Sequence, residues 1–303
     1  MNEIKTVGLI GLGAVGALYA SALLSSGADL RVIVDAERKE RYSREGVYVN
    51  GERVDFPYVT PDEASSVDLL LIVTKEGGLN SALETASAFV GEDTLIISLL
   101  NGVTSEGIVS ERFGEKNVLY SVAQGMDAVK EGNSLRYVHP GRIVLGEREA
   151  GEISARVQMT ADFLNNHGVV CTPVEDMVRR QWGKLMLNVG LNQACMVFEC
   201  DYGGVQQSGK AREVMLGAMR EAQKMAGLEG YVISEAEFDE WVALLDSFSP
   251  IGKPSMRQDG EAHRKSEVEL FAGTMVRLGQ KHGVQLPVNE WLYQRIREIE
   301  ATY

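Results

Sequence analysis

Cysteine is scarce in this 303-residue chain: Cys171, Cys195 and Cys200 are an odd number and form no C-x-x-C pair. That excludes a disulfide framework and fits reduced thiols in a cytoplasm. The four histidines are scattered without metal-ligand spacing, so no metal is expected. Long apolar runs are missing as well. None reaches the ~20 residues of a membrane span, and the start, Met1-Asn2-Glu3-Ile4-Lys5, lacks the pattern of a signal peptide. Positive charge is in deficit: 30 Lys plus Arg against 43 Asp plus Glu leave a net charge of −13 and a pI near 4.9. This argues against a nucleic-acid partner or a polybasic membrane clamp, while a local basic site for a small anion stays open. The expectation is a soluble, cytoplasmic protein.

What is present is an ordinary globular composition, 45% hydrophobic and 24% charged, on a length that fits about two domains of ~150 residues. Short apolar runs at 6–10, 30–34, 69–73, 95–98 and 118–123 alternate with helix-like stretches at 14–25, 36–45, 79–89 and 105–112. Alternation of this kind predicts βαβ units around a parallel sheet. Asn50-Gly51 within 47–54 signals a hairpin, and Pro140-Gly141 is expected to turn a second antiparallel piece over 136–147. A helix over 153–166 and a strand over 169–172 follow. Beyond about residue 175 the pattern is helical only, at 178–198, 210–226, 234–246, 255–282 and 289–302, with Pro287 opening the last helix. The predicted fold is an α/β Rossmann-type dinucleotide-binding domain, residues 1–174, followed by an all-α C-terminal domain, residues 175–303, that carries substrate and catalysis. A ligand cleft is expected between them.

Gly11-Leu12-Gly13-Ala14-Val15-Gly16 is a G-x-G-x-x-G between a strand and a helix, the context in which the pattern binds a dinucleotide. The first glycine allows the turn, the second lets a pyrophosphate approach, and the third lets helix pack on strand. The helix N-terminus then offers free N–H groups to phosphate. Asp35, nineteen residues after Gly16, stands where a carboxylate accepts bonds from a ribose 2′-OH, which favours NAD. Arg38, Lys39 and Arg41 follow at once and could cradle the extra phosphate of NADP. Asp35 would also serve as a helix N-cap.

Lys184, Asn188 and Asn192 recur every four residues in an otherwise apolar helix. Each step drifts only ~40°, so the three share one face. A polar stripe in a buried helix is costly unless it meets partners, and a ligand with carboxylate and carbonyl oxygens would supply them. Partial burial can bring a lysine's pKa toward working pH and make it a proton donor. The alternative is a solvated stripe with Lys184 snorkelling.

The glycine loop, Lys75 after Val73-Thr74, Asn101-Gly102-Val103, Trp182-Gly183-Lys184 with Asn188 and Asn192, and Pro254-Ser255-Met256 followed by Gln258-Asp259 and Glu267 together resemble the ketopantoate reductase (2-dehydropantoate 2-reductase) family over nearly the whole chain. The resemblance implies NADPH-dependent reduction of 2-dehydropantoate to (R)-pantoate, on the route to pantothenate and coenzyme A. It makes Lys184 the proton donor and Asn188, Asn192 and Ser255 the substrate-binding residues. Asn101 would touch cofactor and substrate, Lys75 and Glu267 would line the cofactor side, and the enzyme would be a homodimer. From the residues alone, Lys75 could be a strand-end lysine, Asn101-Gly102 a turn, Ser255 a cap and Glu267 part of a charged helix face. A straight helix would set Ser255 and Glu267 ~18 Å apart. Two departures stand out: Asp35 where the family usually has arginine, and Tyr202-Gly203-Gly204 where it often has Asn-Gly. The competing readings are a reductase of another 2-oxo acid, a β-hydroxyacid dehydrogenase, and a non-enzymatic dinucleotide sensor.

Overall fold

The computed structural model describes residues 3–303. The chain divides between Val178 and Arg179 into two compact units; the sequence pattern had placed the division at 174/175.

The first unit is built on an eight-stranded sheet. Its strands are β1 (Thr6–Ile10), β2 (Asp29–Ile33), β5 (Tyr58–Val59), β6 (Val67–Ile72), β7 (Val90–Ser98), β8 (Val118–Met126), β11 (Pro140–Gly146) and β12 (Cys171–Pro173). They lie in the order β12-β11-β8-β7-β6-β1-β2-β5. All neighbours are parallel except β8 and β11. Strands so placed are covered on both faces, which is why they read as continuous apolar runs. Alternate residues of β6 serve opposite layers: Leu69 and Leu71 join the core under α1 (Ala14–Ser25) and α5 (Ala155–Asn166), while Leu70 and Ile72 join the core under α3 (Leu79–Ala86) and α4 (Ser105–Phe113). β2 leads into α2 (Ala36–Glu45), and the chain then crosses back to β6 on the other side of β1. The carboxyl end of β1 is therefore the switch point of the sheet, the place where such folds hold their ligands.

The expected hairpin is present as β3 (Val47–Val49) and β4 (Glu52–Val54), with Val49 opposite Glu52. Asn50 (φ 49°) and Gly51 (φ 91°) supply the two left-handed residues of a primed turn. This hairpin belongs to a second sheet, β4-β3-β10-β9, completed by β9 (Val129–Glu131) and β10 (Ser134–Arg136). Three-residue strands carry too little periodicity to show in the sequence. Pro140-Gly141 is not the expected turn: it opens β11. A Cβ at Gly141 would lie 2.4 Å from Gln124 O, so glycine is needed for close approach to β8. The turn falls earlier, at Gly132 (φ 55°) between β9 and β10.

The second unit is helical, and no strand follows β12 among the described residues. It contains α6 (Met177–Val197, whose first two residues precede the division), α7 (Tyr202–Gln206), α8 (Lys210–Leu228), α9 (Glu235–Asp246), α10 (Ser255–Glu261), α11 (Thr274–His282) and α12 (Pro287–Glu300). Gly190 lets α6 and α8 touch backbone to backbone: a Cβ there would lie 2.7 Å from Met215 O. The helix expected over 255–282 is broken. His263 takes φ 49°, Arg264 donates back to Asp259 at 3.0 Å, and helix resumes only through a π-turn at Glu269–Gly273. The stretch 261–267 carries mostly polar residues, so nothing apolar holds it on a helical track.

Candidate active site

The candidate residues form two groups, one in each unit. In the first, four neighbouring parallel strands, β7, β6, β1 and β2, each end in a candidate: Asn101, Lys75, the glycine loop and Asp35. The ends are tied by Val73 N–H to Ile10 O at 2.8 Å and Leu99 N–H to Ile72 O at 2.9 Å. Gly11 has φ 104°, and a Cβ on it would lie 2.5 Å from Val73 O; a Cβ on Gly16 would lie 1.8 Å from Gly11 O. Gly13 is different: a Cβ there meets nothing within 4 Å. Two glycines are needed by the protein itself, and the middle one leaves open space at the N-terminus of α1. No side chain caps that helix, so Gly13, Ala14 and Val15 present their N–H groups to a visitor, while Leu12 is buried beneath. A pyrophosphate fits this loop.

Asp35 sits past the end of β2 as the N-cap of α2. One carboxylate oxygen accepts the Arg38 N–H at 2.7 Å, and the other takes the Arg38 guanidinium. The capping role is thus observed. Of the other two basic residues, Lys39 pairs with Glu63 and Arg41 lies over the Tyr42 ring, 5.0 Å from its centroid. Asn101 stands half-buried beside Gly102, whose φ of 91° makes the bend after β7. Behind it a buried chain runs from Ser98 Oγ to Ser105 Oγ (2.8 Å) and on to Glu106 Oε2 (2.9 Å), which stiffens the turn.

In the second unit α6 places Lys184, Asn188 and Asn192 on one face, as the spacing predicted. Lys184 is half-buried, and its pKa is lowered to about 8. Burial is the main cause; Glu267 opposes it and Arg180 adds to it. Gly183 makes room for Trp241, since a Cβ would lie 2.5 Å from its Nε1, and Arg180 lies 4.9 Å from the same indole. Asn192 Nδ2 donates to Asn188 Oδ1 at 3.2 Å. Its Oδ1 accepts from Ser255 Oγ at 3.0 Å and from Met256 N–H at 3.2 Å. Asn192 therefore gathers Ser255, the first residue of α10, to the stripe. Because the chain breaks after α10, Glu267 comes within electrostatic reach of Lys184 instead of lying along one straight helix. Tyr202 turns its ring onto Phe248, 5.2 Å between centroids. Arg180, Gln193 and Glu300 escaped the sequence reading, although Arg180 extends the four-residue spacing one step upstream.

A parallel sheet with an open glycine turn at its switch point, and a helical unit bearing a lysine of lowered pKa, together define a Rossmann-type dinucleotide-dependent oxidoreductase. The family models agree: residues 7–150 match Ketopantoate reductase PanE/ApbA, and residues 176–300 match its C-terminal model. The chain belongs to the ketopantoate reductase family. A 2-dehydropantoate 2-reductase of Streptococcus pyogenes is 25% identical over 299 residues, 97% of each chain. Among solved structures, D-mandelate dehydrogenase with NADH and anilino(oxo)acetate has a TM-score of 0.87 at 23% identity, covering 98% of this chain and 99% of that one. A dimeric ketopantoate reductase from Staphylococcus aureus has a TM-score of 0.80 at 19% identity, with 98% and 99% covered. No helix of the described residues is long and apolar enough to cross a membrane, and no group of three or more His, Cys, Asp or Glu among them could hold a metal ion.

Proposed function

We propose that the protein reduces 2-dehydropantoate to (R)-pantoate, in the cytoplasm and as a homodimer, serving pantothenate and coenzyme A synthesis. The observation that carries this is Lys184: a half-buried ammonium with pKa about 8, in a stripe of amides. A nicotinamide, when bound, supplies a hydride to the carbonyl carbon. The C=O electron pair moves onto oxygen, and Lys184 Nζ gives that oxygen its proton, recovering one from water afterwards. Asn188, Asn192 and Ser255 hold the substrate's oxygens. Asn101 positions cofactor and substrate, and Lys75 and Glu267 line the cofactor. The loop from Gly11 to Gly16 takes the pyrophosphate.

Asp35 supports NADH over NADPH. Its carboxylate can accept from two ribose hydroxyls, and a 2′-phosphate would meet like charge. Arg38 could answer that phosphate only by leaving Asp35, and such an exposed pair is worth about 0–1 kcal/mol. A second reading, an aromatic or branched 2-oxo acid, is favoured by Tyr202, which places a ring where the family often has Asn-Gly. The D-mandelate dehydrogenase likeness supports the same reading. A panel of 2-oxo acids assayed with NADH and NADPH tests both. Turnover of 2-dehydropantoate above the others is expected; turnover of none with either cofactor rejects the proposal.

A further inference from the structure

Gln193 and Glu300 hold the chain on the two sides of Glu267. Gln193 is fully buried on α6, next to Asn192. Its Oε1 accepts the Ala272 N–H at 3.1 Å, and its Nε2 donates to Val189 O at 2.7 Å. Ala272 lies in the π-turn, where the wider helical turn takes backbone groups out of the ordinary ladder. The amide of Gln193 fills that gap and fixes where the turn sits. On the other side, Ser266 donates its N–H at 2.7 Å, and its hydroxyl as well, to Glu300 Oε1, a buried carboxylate near the end of α12. Between these anchors the Glu267 carbonyl accepts from Leu270 N–H and Phe271 N–H at 3.0 and 3.1 Å. The stretch 262–268 is irregular; Arg264 ties it back to Asp259 of α10 and Val268 is buried, and the two anchors add the bonds that flank Glu267.

We propose that Gln193 and Glu300 are positioning residues: they hold residues 266–273 from both ends and thereby keep the Glu267 carboxylate in the field of the Lys184 ammonium. On that ammonium Glu267 acts to raise the pKa, and Arg180 one turn earlier on α6 acts to lower it. If Glu267 swings away, its opposing effect is lost and the lysine releases its proton at lower pH. The inference rests on Lys184 being the proton donor.

The test is the pH profile of kcat for the intact enzyme, with saturating cofactor and 2-dehydropantoate or whichever 2-oxo acid turns over. Activity falls as pH rises through the lysine's titration. Gln193→Met removes the acceptor at nearly equal volume, and should move that limb down by about 0.5–1 pH unit. Glu267→Gln should move it in the same direction. Adding Gln193→Met to Glu267→Gln should move it no further, because both act through one carboxylate. Loss of rate at every pH with the limb in place, or additive shifts in the double variant, overturns the proposal. If Gln193→Met does not fold, Glu300→Met, which removes the acceptor of Ser266, probes the other anchor with the same expected direction. Lys184→Ala separates the two levels. Normal turnover in that variant overturns both readings, whereas an inactive Lys184→Ala beside an unmoved Gln193→Met limb overturns only the positioning role.

Discussion

At residue scale Lys184 is held where an ammonium is poorly hydrated, and that loss is what makes it an acid near neutral pH. We expect Lys184→Ala to lower kcat by about 10²–10⁴-fold, the range for a lost general acid. Cofactor affinity should hardly change, because the glycine loop is the proposed site of the phosphates; near-wild-type kcat would remove Lys184 from the mechanism. The same residue shapes stability. Its folded pKa of about 8 lies below the ~10.4 of a free lysine, so the unfolded chain binds more protons between those values. The destabilisation is thus fully present below pH 8 and fades as pH rises toward about 10.4. Lys184→Met should raise Tm at pH 7 relative to wild type, and this advantage should shrink on titration to pH 10. Asp35 makes a second residue-scale prediction: kcat/KM with NADH at least equal to that with NADPH, and a shift toward NADPH in Asp35→Arg. A clear NADPH preference in the wild type would leave Asp35 only its cap.

At element scale the glycine turn separates what folding needs from what binding needs. Gly16→Ala drives a Cβ to 1.8 Å from Gly11 O, and we expect Tm to fall by more than about 5 °C. Gly13→Ala meets nothing in the protein, so Tm should stay within about 2 °C while dinucleotide affinity drops tenfold or more, as read by a fluorescence titration with NADH. Equal affinity in both proteins would mean that no pyrophosphate sits there. The sequence showed this turn because three glycines at fixed spacing are a local signal. It likewise showed α6, β1 and the Asn50-Gly51 hairpin, whose periodicity or turn chemistry lies within a few neighbours. It did not show the β3–β10 pairing, which joins residues about ninety apart. Nor did it show the break after α10, where hydrogen bonds to Glu300 and Gln193 from other helices decide the path. Lys184 was legible from spacing, whereas its partner Glu267 came within reach only through that break.

At the scale of the whole molecule the division after Val178 assigns the proposed roles to separate units. The first unit has its own two-layered core, its own sheet and every residue proposed for the pyrophosphate and the adenosine ribose. The second has Lys184, the proposed proton donor. A chain stopped after Val178 should therefore fold cooperatively, because the sheet from β12 to β5 and both its helical layers are complete within it. It should still bind NADH, and it should reduce no 2-oxo acid, because the proposed catalytic and substrate residues Lys184, Asn188, Asn192 and Ser255 are gone. Circular dichroism melting and NADH fluorescence titration check the first two points, and steady-state assay checks the third. Failure of the fragment to melt cooperatively would show that the sheet depends on the helical unit, and residual turnover would place the proton donor among residues before Arg179.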